Sequence, residues 1–184
     1  MDRTKCFEEL NQRLAEADLK LTLIIVGGYV LELRGLRATQ DVDAFYQSSK
    51  LLDQIIMEIG EKYDINLPNE NWLNNSVSNV NVEPDLADCN LLRKYSNLTI
   101  YTASLEYVLY MKAQSARLQD IKDMGTIIQE LKLDSPKALE EKLTDKGFTY
   151  DQSDIYQAFV FAYGMDWLSD YLSNMHKRGH RHGR

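Results

Sequence analysis

The chain has 184 residues, of which 44% are apolar and 27% are charged, and its formal net charge is −7 at pH 7. This length and composition are typical of one globular domain that buries a full core. No apolar run approaches the roughly 18 residues that a transmembrane helix needs. The N-terminal residues, MDRTKCFEEL, lack the apolar stretch of a signal peptide. With only two widely spaced cysteines, these features predict a cytoplasmic protein with reduced thiols and no membrane partner.

Basic residues and histidines are concentrated at the C-terminus. The last nine residues, HKRGHRHGR, contain four basic residues and no acid. Since they carry +4, the other 175 residues carry a net charge of −11, which argues against a broad nucleic-acid surface. All three histidines lie in the same nine residues, which excludes histidine-dependent nucleophilic catalysis and histidine–zinc sites from the rest of the chain. We expect residues 176–184 to be a disordered, solvated tail.

The first half of the chain predicts alternating helices and strands. Apolar residues recur at helical spacing near the N-terminus, where Thr4 is the expected cap. The segment KLTLIIV is typical of a buried strand, which Gly27-Gly28 ends. The predicted elements are, in order, a helix over 4–18, a strand over 20–26, a short helix over 29–35, a strand over 41–46 and a helix over 49–63.

The second half predicts mostly helices. Residues 64–97 are rich in Asn, and we expect a short strand there over 80–83. Ser135-Pro136 is typical of a helix start, and Gly147 of the position just after a helix end. The other predicted elements are a strand over 98–102 and helices over 105–116, 118–132 and 153–174. This order predicts an α+β fold, with a core over 1–103 and a C-terminal helical layer over 104–175 packed on it.

Two aspartates stand one residue apart in the strand predicted over 41–46. Because side chains alternate across a strand, Asp41 and Asp43 point to the same face. Two carboxylates this close repel each other unless a cation lies between them, and Mg²⁺ commonly binds one or two carboxylates together with substrate phosphates. Gly27-Gly28 lets a phosphate approach backbone N–H groups closely. The segment 24–46 therefore predicts a phosphate site beside a metal site.

This segment resembles the signature of the nucleotidyltransferase superfamily typified by DNA polymerase beta, which is an apolar strand, a Gly-Gly or Gly-Ser pair, a spacer and an Asp-x-Asp or Asp-x-Glu. Here twelve residues separate Gly28 from Asp41. The stretch RATQDVD, residues 37–43, is similar more narrowly to the R-x-T-x-D-hydrophobic-D form of bacterial proteins related to AbiEii-type toxins. The block YMKAQSARLQDIKDM, residues 110–124, resembles the downstream motif of that group.

The resemblance implies a fold, an activity and partners. The fold is a minimal nucleotidyltransferase mixed sheet flanked by helices. The activity is Mg²⁺- or Mn²⁺-dependent transfer of a nucleoside monophosphate from an NTP to an RNA, protein or small-molecule acceptor. Similarity to AbiEii-type proteins further implies the toxin of a toxin–antitoxin or phage-defence system, with a cognate antitoxin as partner. The implied catalytic residues are Asp41, Asp43, Lys112, Asp120 and Asp123. The implied nucleotide-binding residues are Gly27, Gly28, Arg37, Thr39, Lys112 and Arg117.

The sequence leaves open which residue supplies the third carboxylate that such enzymes use. Glu83, on the strand predicted over 80–83, is the choice for a third metal ligand beside Asp41 and Asp43. Asp120 or Asp123, in the downstream block, is the alternative. Without a third carboxylate, one metal ion is weakly held. The second interpretation is therefore a catalytically degenerate module of the same fold that binds a nucleotide or a partner protein.

Lys112 stands where the apolar spacing of the helix predicted over 105–116 calls for a core residue. Its stem can pack along the apolar face while its ammonium group reaches water. Alternatively, the ammonium group points into a cleft and neutralises triphosphate charge.

Overall fold

A computed structural model of the protein describes residues 3–79 and 81–179, with side chains described as far as residue 175. The internal contacts divide the chain into two compact units, Met1–Ser104 and Leu105–Arg184. The sequence places this boundary between residues 103 and 104, one residue earlier. No helix among the described residues is long and apolar enough to cross a membrane.

The first unit contains a mixed sheet of five strands. In chain order, the strands are β1 (Leu21–Ile25), β2 (Val42–Phe45), β3 (Leu73–Asn74), β4 (Asn90–Lys94) and β5 (Leu98–Thr102). Across the sheet their order is β3-β2-β1-β5-β4. The central β1 runs parallel to β5 and antiparallel to β2, which in turn runs parallel to β3. The mixed sheet and the helices that flank it confirm the predicted α+β class.

The described part of the same unit also contains three α-helices and two short 3₁₀ helices. The α-helices are α1 (Thr4–Glu16), α2 (Gly27–Glu32) and α3 (Lys50–Lys62), and the 3₁₀ helices span Ser76–Asn79 and Leu86–Asp88. Helix α1 packs against α3 and also contacts β5, while α2 packs against β2. Ser49 caps α3 by accepting a hydrogen bond of 3.2 Å from the Leu52 amide. Thr4 is not the cap of α1, because Arg3 holds that position and makes no capping bond through its side chain.

The segment between α3 and β5 differs most from the prediction. The strand expected over 80–83 is absent from residues 81–83, which are a bend and irregular backbone, and Val80 lies outside the described residues. Two strands that the sequence pattern does not predict, β3 and β4, form instead. β3 has only two residues, and all five residues of β4 are exposed. Neither strand therefore carries the apolar alternation from which strands are recognised.

In the described part of the second unit, all regular secondary structure is α-helix. Its helices are α4 (Leu105–Ser115), α5 (Leu118–Glu130), α6 (Pro136–Asp145), α7 (Gln152–Tyr163) and α8 (Met165–Gly179). The predicted start and end of α6 are confirmed, since Ser135 accepts a hydrogen bond from the Ala138 amide and Gly147 has φ +76°. The single helix predicted over 153–174 is wrong, because Gly164, with φ +89°, separates α7 from α8. The predicted disordered tail over 176–184 begins too early, because residues 176–179 belong to α8, and residues 180–184 lie outside the described residues.

Gly125 allows α5 and α7 to pack closely. A Cβ at this position would lie 2.7 Å from the Phe161 Cβ and 3.0 Å from the Ala158 carbonyl oxygen. We therefore expect Gly125→Ala to lower the free energy of unfolding by about 1–3 kcal/mol, because the overpacking outweighs the better helix propensity of alanine. Urea denaturation measures this, with exposed Lys122→Ala on the same helix as the control. Equal or higher stability of Gly125→Ala would contradict the close packing.

Candidate functional site

The turn after β1 brings the backbone of Gly27 against the side chain of Asp43. β1 and β2 pair with Ile25 opposite Ala44, and the Val26 amide donates a hydrogen bond of 2.9 Å to the Asp43 carbonyl oxygen. Gly27 has φ +64°, and a Cβ placed on it would lie 2.7 Å from Asp43 Oδ2. Both the positive φ and the short distance require glycine at this position. The carboxylate of Asp43 therefore lies directly beside the turn.

Asp41 and Asp43 flank the first residue of β2. Val42 and Ala44 are fully buried, whereas both aspartates are only partly buried. This alternation is that of a strand with the aspartates on one face, although Asp41 itself stands one residue before β2. Thr39 Oγ1 donates a hydrogen bond of 2.9 Å to Asp41 Oδ1.

Arg37 and Thr39 lie against Gly28. A Cβ on Gly28 would collide with Nη2 of Arg37 and would lie 2.9 Å from Oγ1 of Thr39. The two side chains are also in contact, with Arg37 Nη2 3.5 Å from Thr39 Oγ1. The predicted site residues of the first unit, except Glu83, thus gather around the two glycines. Their roles in nucleotide and metal binding stay predictions.

No third carboxylate joins Asp41 and Asp43 in a metal-binding group within the described part of the first unit. Glu83 is exposed and does not lie on a strand, so the reason for assigning it to a metal site is lost. Among the described side chains, those of residues 3–79 and 81–175, no group of three or more His, Cys, Asp or Glu is arranged to hold a metal ion. The pair of Asp41 and Asp43 still fits a hard cation such as Mg²⁺ or Mn²⁺, because it offers oxygen ligands on one face.

Lys112 is buried and paired with two aspartates inside the second unit. Its side chain is only 8% exposed, and its Nζ lies 2.9 Å from Asp120 Oδ1 and 2.6 Å from Asp123 Oδ2. The interpretation in which the ammonium group reaches water is therefore wrong. The role of Lys112 in phosphate binding stays a prediction, but its charge is already compensated by two carboxylates.

Asp120 is the centre of this cluster. Its Oδ2 accepts hydrogen bonds of 2.7 Å from Arg117 Nε and 2.9 Å from Ser115 Oγ, in addition to the contact with Lys112. Burial alone would raise the pKa of Asp120. The hydrogen bond from Arg117, the charge and hydrogen bond of Lys112 and the hydrogen bond from Ser115 outweigh this effect and lower the pKa to about 2. Asp120 is therefore a carboxylate that the fold holds ionised.

Two residues that the sequence pattern does not single out, Arg3 and Glu32, contact the site. Arg3 Nη1 lies 3.1 Å from Glu32 Oε1, and Arg3 Nη2 donates a hydrogen bond to the Thr39 carbonyl oxygen. Glu32 Oε2 accepts a hydrogen bond of 2.6 Å from the Thr39 amide. No sequence spacing indicates these contacts, because they join positions 7 to 36 residues apart.

Comparison with known families identifies the family of the chain. A family model described as "Nucleotidyltransferase of unknown function" (DUF6036) matches residues 4–169. The chain belongs to this family. The match covers both the Gly-Gly and Asp-x-Asp segment and the block around Lys112, and it supports the superfamily resemblance. No curated protein and no solved structure matches the chain. The narrower similarity to AbiEii-type proteins stays a prediction.

We expect Lys112→Met to destabilise the protein strongly. The substitution keeps the apolar stem but leaves the carboxylates of Asp120 and Asp123 buried without their lysine. Breaking a buried ion pair in this way costs about 3–5 kcal/mol of unfolding free energy. Urea denaturation measures the loss, and Lys122→Met, at an exposed position of α5, is the control. A Lys112→Met protein as stable as the wild type would show that the cluster is not structural.

The low pKa of Asp120 predicts how stability changes with pH. Because the folded pKa, about 2, lies below the ordinary value of 3.8, Asp120 contributes stability above the ordinary value and loses it as pH falls towards 2. This contribution is of the order of 2 kcal/mol. The stability difference between wild type and Asp120→Asn should therefore shrink between pH 5 and pH 2, as measured by denaturation at each pH. A difference independent of pH would rule out the assigned ion pairs.

Proposed function

We propose that this chain transfers a nucleoside monophosphate from an NTP to an acceptor hydroxyl, with release of pyrophosphate. The proposal is supported above all by the position of the Asp43 carboxylate against the backbone of Gly27, beside an Arg37 side chain that lies over Gly28. Carboxylates suited to a cation and an arginine suited to phosphate thus meet at one turn. The membership in a nucleotidyltransferase family supports the same chemistry.

Each residue of the turn has a role in this proposal. Asp41 and Asp43 hold Mg²⁺ or Mn²⁺, which supplies charge neutralisation for the triphosphate when bound. Gly28 leaves room for the side chains of Arg37 and Thr39, which lie against its backbone. Arg37 binds a phosphate oxygen through its guanidinium group, and Thr39 keeps Asp41 oriented through its hydroxyl. Such chemistry depends mainly on positioning and charge stabilisation, so it needs no histidine.

The net charge of the chain guides the choice of acceptor more than the Gly-Gly and Asp-x-Asp motif does. Outside the last nine residues the chain carries −11, which disfavours broad contacts with RNA phosphates. A protein or small-molecule acceptor is therefore the better choice than RNA. The similarity of residues 37–43 and 110–124 to AbiEii-type proteins supports a toxin role, with a cognate antitoxin as partner. Incubating the protein with each labelled NTP, Mg²⁺ and bacterial lysate identifies the class of molecule that receives the label.

One observation favours a second function. The described part of the chain has no three-carboxylate group for a metal, and two carboxylates hold a second cation poorly. A module that binds a metal–nucleotide complex without transferring it is consistent with this arrangement. Tight nucleotide binding without transfer of label to any component of the lysate would favour this module over the enzyme.

The decisive variant replaces both aspartates, Asp41→Asn and Asp43→Asn. We expect it to lose at least tenfold in affinity for MgATP or MgGTP, equivalent to about 1.4 kcal/mol, because the amides keep the shape but not the charge. Its melting temperature should hold or rise, since two carboxylates that repel each other are removed. Isothermal titration calorimetry measures the affinity with and without Mg²⁺.

The control replaces two exposed acids of α8, Asp166→Asn and Asp170→Asn, and so removes the same net charge elsewhere. It should bind nucleotide as the wild type does. If the Asp41 and Asp43 variant also binds with wild-type affinity, the metal site is not there.

A further inference from the structure

We propose that Arg3 and Glu32, referred to as the Arg3–Glu32 pair, position Thr39 and, through it, the Asp41 carboxylate for nucleotide binding. The inference rests on the proposed function, and it assigns a role to two residues outside the Gly-Gly and Asp-x-Asp segment. Neither residue is a catalytic group, because each acts through Thr39.

The pair holds both backbone polar groups of Thr39. Glu32 Oε2 accepts a hydrogen bond of 2.6 Å from the Thr39 amide. Arg3 Nη2 donates a hydrogen bond of 3.1 Å to the Thr39 carbonyl oxygen. The two side chains are joined to each other, since Arg3 Nη1 lies 3.1 Å from Glu32 Oε1. Together they replace the backbone partners that Thr39 would have in a sheet, because residues 37–41 lie outside any helix or strand.

A fixed backbone at Thr39 determines where its hydroxyl can point. Threonine has one restricted side-chain torsion, so Oγ1 has few positions once the backbone is held. In the observed position, Oγ1 donates to Asp41 Oδ1 and lies against Gly28. The series of contacts therefore runs from the Arg3–Glu32 pair to Thr39, and from Thr39 to the Asp41 carboxylate.

The burial of Arg3 supports a specific role rather than a surface contact. Arg3 is only 3% exposed, and its guanidinium carbon lies 5.1 Å from the centre of the Tyr29 ring. Removing a guanidinium group from water is costly unless it is paired and hydrogen-bonded. Glu32 and the Thr39 carbonyl oxygen supply partners for Nη1 and Nη2, which offsets part of this cost, while Nε has no hydrogen-bond partner among the described residues.

A purely structural role makes a different prediction. If Arg3 only anchors the start of α1, its loss lowers stability but leaves the nucleotide affinity of the folded protein unchanged. If the Arg3–Glu32 pair positions Thr39, nucleotide affinity falls even where the protein is fully folded. Affinity measured well below each melting temperature therefore separates the two roles.

The experiment titrates MgATP and MgGTP into wild type, Arg3→Met, Glu32→Gln, Thr39→Val and Thr39→Ser. We expect Arg3→Met and Thr39→Val to weaken binding at least fivefold, and Glu32→Gln to weaken it less, because an amide oxygen still accepts one hydrogen bond. Thr39→Ser keeps the hydroxyl and should bind more tightly than Thr39→Val. Thr39→Val and Glu32→Gln keep the test decisive should Arg3→Met fail to fold.

Arg13→Met is the matched control. Arg13 also belongs to the N-terminal region and pairs with a glutamate, Glu58, at 2.5 Å, but its ion-pair partners, Glu16 and Glu58, lie outside residues 37–41. The Arg13→Met protein should be less stable than the wild type but should keep the wild-type affinity for MgATP and MgGTP. Wild-type affinity in Arg3→Met and Thr39→Val would overturn the positioning role alone. If the wild type itself binds neither nucleotide, the proposed function and the positioning role are both overturned.

Discussion

The candidate site depends on a position that has no room for a side chain. Because β1 and β2 pair directly, the end of β1 lies beside the start of β2, and the Asp43 carboxylate occupies the space next to the Gly27 backbone. The same residue has a positive φ, which allows the chain to pass from β1 into α2 within two residues. One glycine therefore meets two separate requirements, the turn and the close approach of a carboxylate.

The fold could be predicted wherever one face of an element is buried. β1, β2 and α3 have strong apolar patterns, and each forms within one residue of its predicted bounds. β4 has no buried face, so its sequence carries no such pattern.

The break between α7 and α8 could not be predicted from the sequence for another reason. Aromatic residues spaced four apart continue across Gly164, and the rings of Phe159, Tyr163, Trp167 and Tyr171 contact one another in sequence. The spacing of the aromatic residues therefore stays helical across Gly164, although the backbone leaves the helical conformation there.

The site could be predicted only where its residues are close in sequence. The glycines, Arg37, Thr39 and the two aspartates lie within 17 residues, and the strand–turn–helix–strand order places them together. Arg3 reaches Thr39 from 36 residues away, and no local pattern marks such a contact. The partners of Lys112 lie 8 and 11 residues later, on the next helix, so the spacing within one helix gives no sign of them.

The chain contains two close pairs of aspartates, and their surroundings separate their roles. Asp120 and Asp123 are almost fully buried and share the ammonium group of Lys112, so their charge is compensated by the protein itself. Asp41 accepts its hydrogen bond from the neutral hydroxyl of Thr39, and both Asp41 and Asp43 remain partly accessible to solvent. A neutral hydroxyl compensates little of a carboxylate's charge, and accessible oxygens can be reached by a dissolved cation. The first pair is therefore suited to hold its unit together. In the proposed function, the second pair binds a cation that arrives with a nucleotide. The block around Lys112 then acts by stabilising the helical unit, and the Gly-Gly and Asp-x-Asp segment is the proposed place of the transfer.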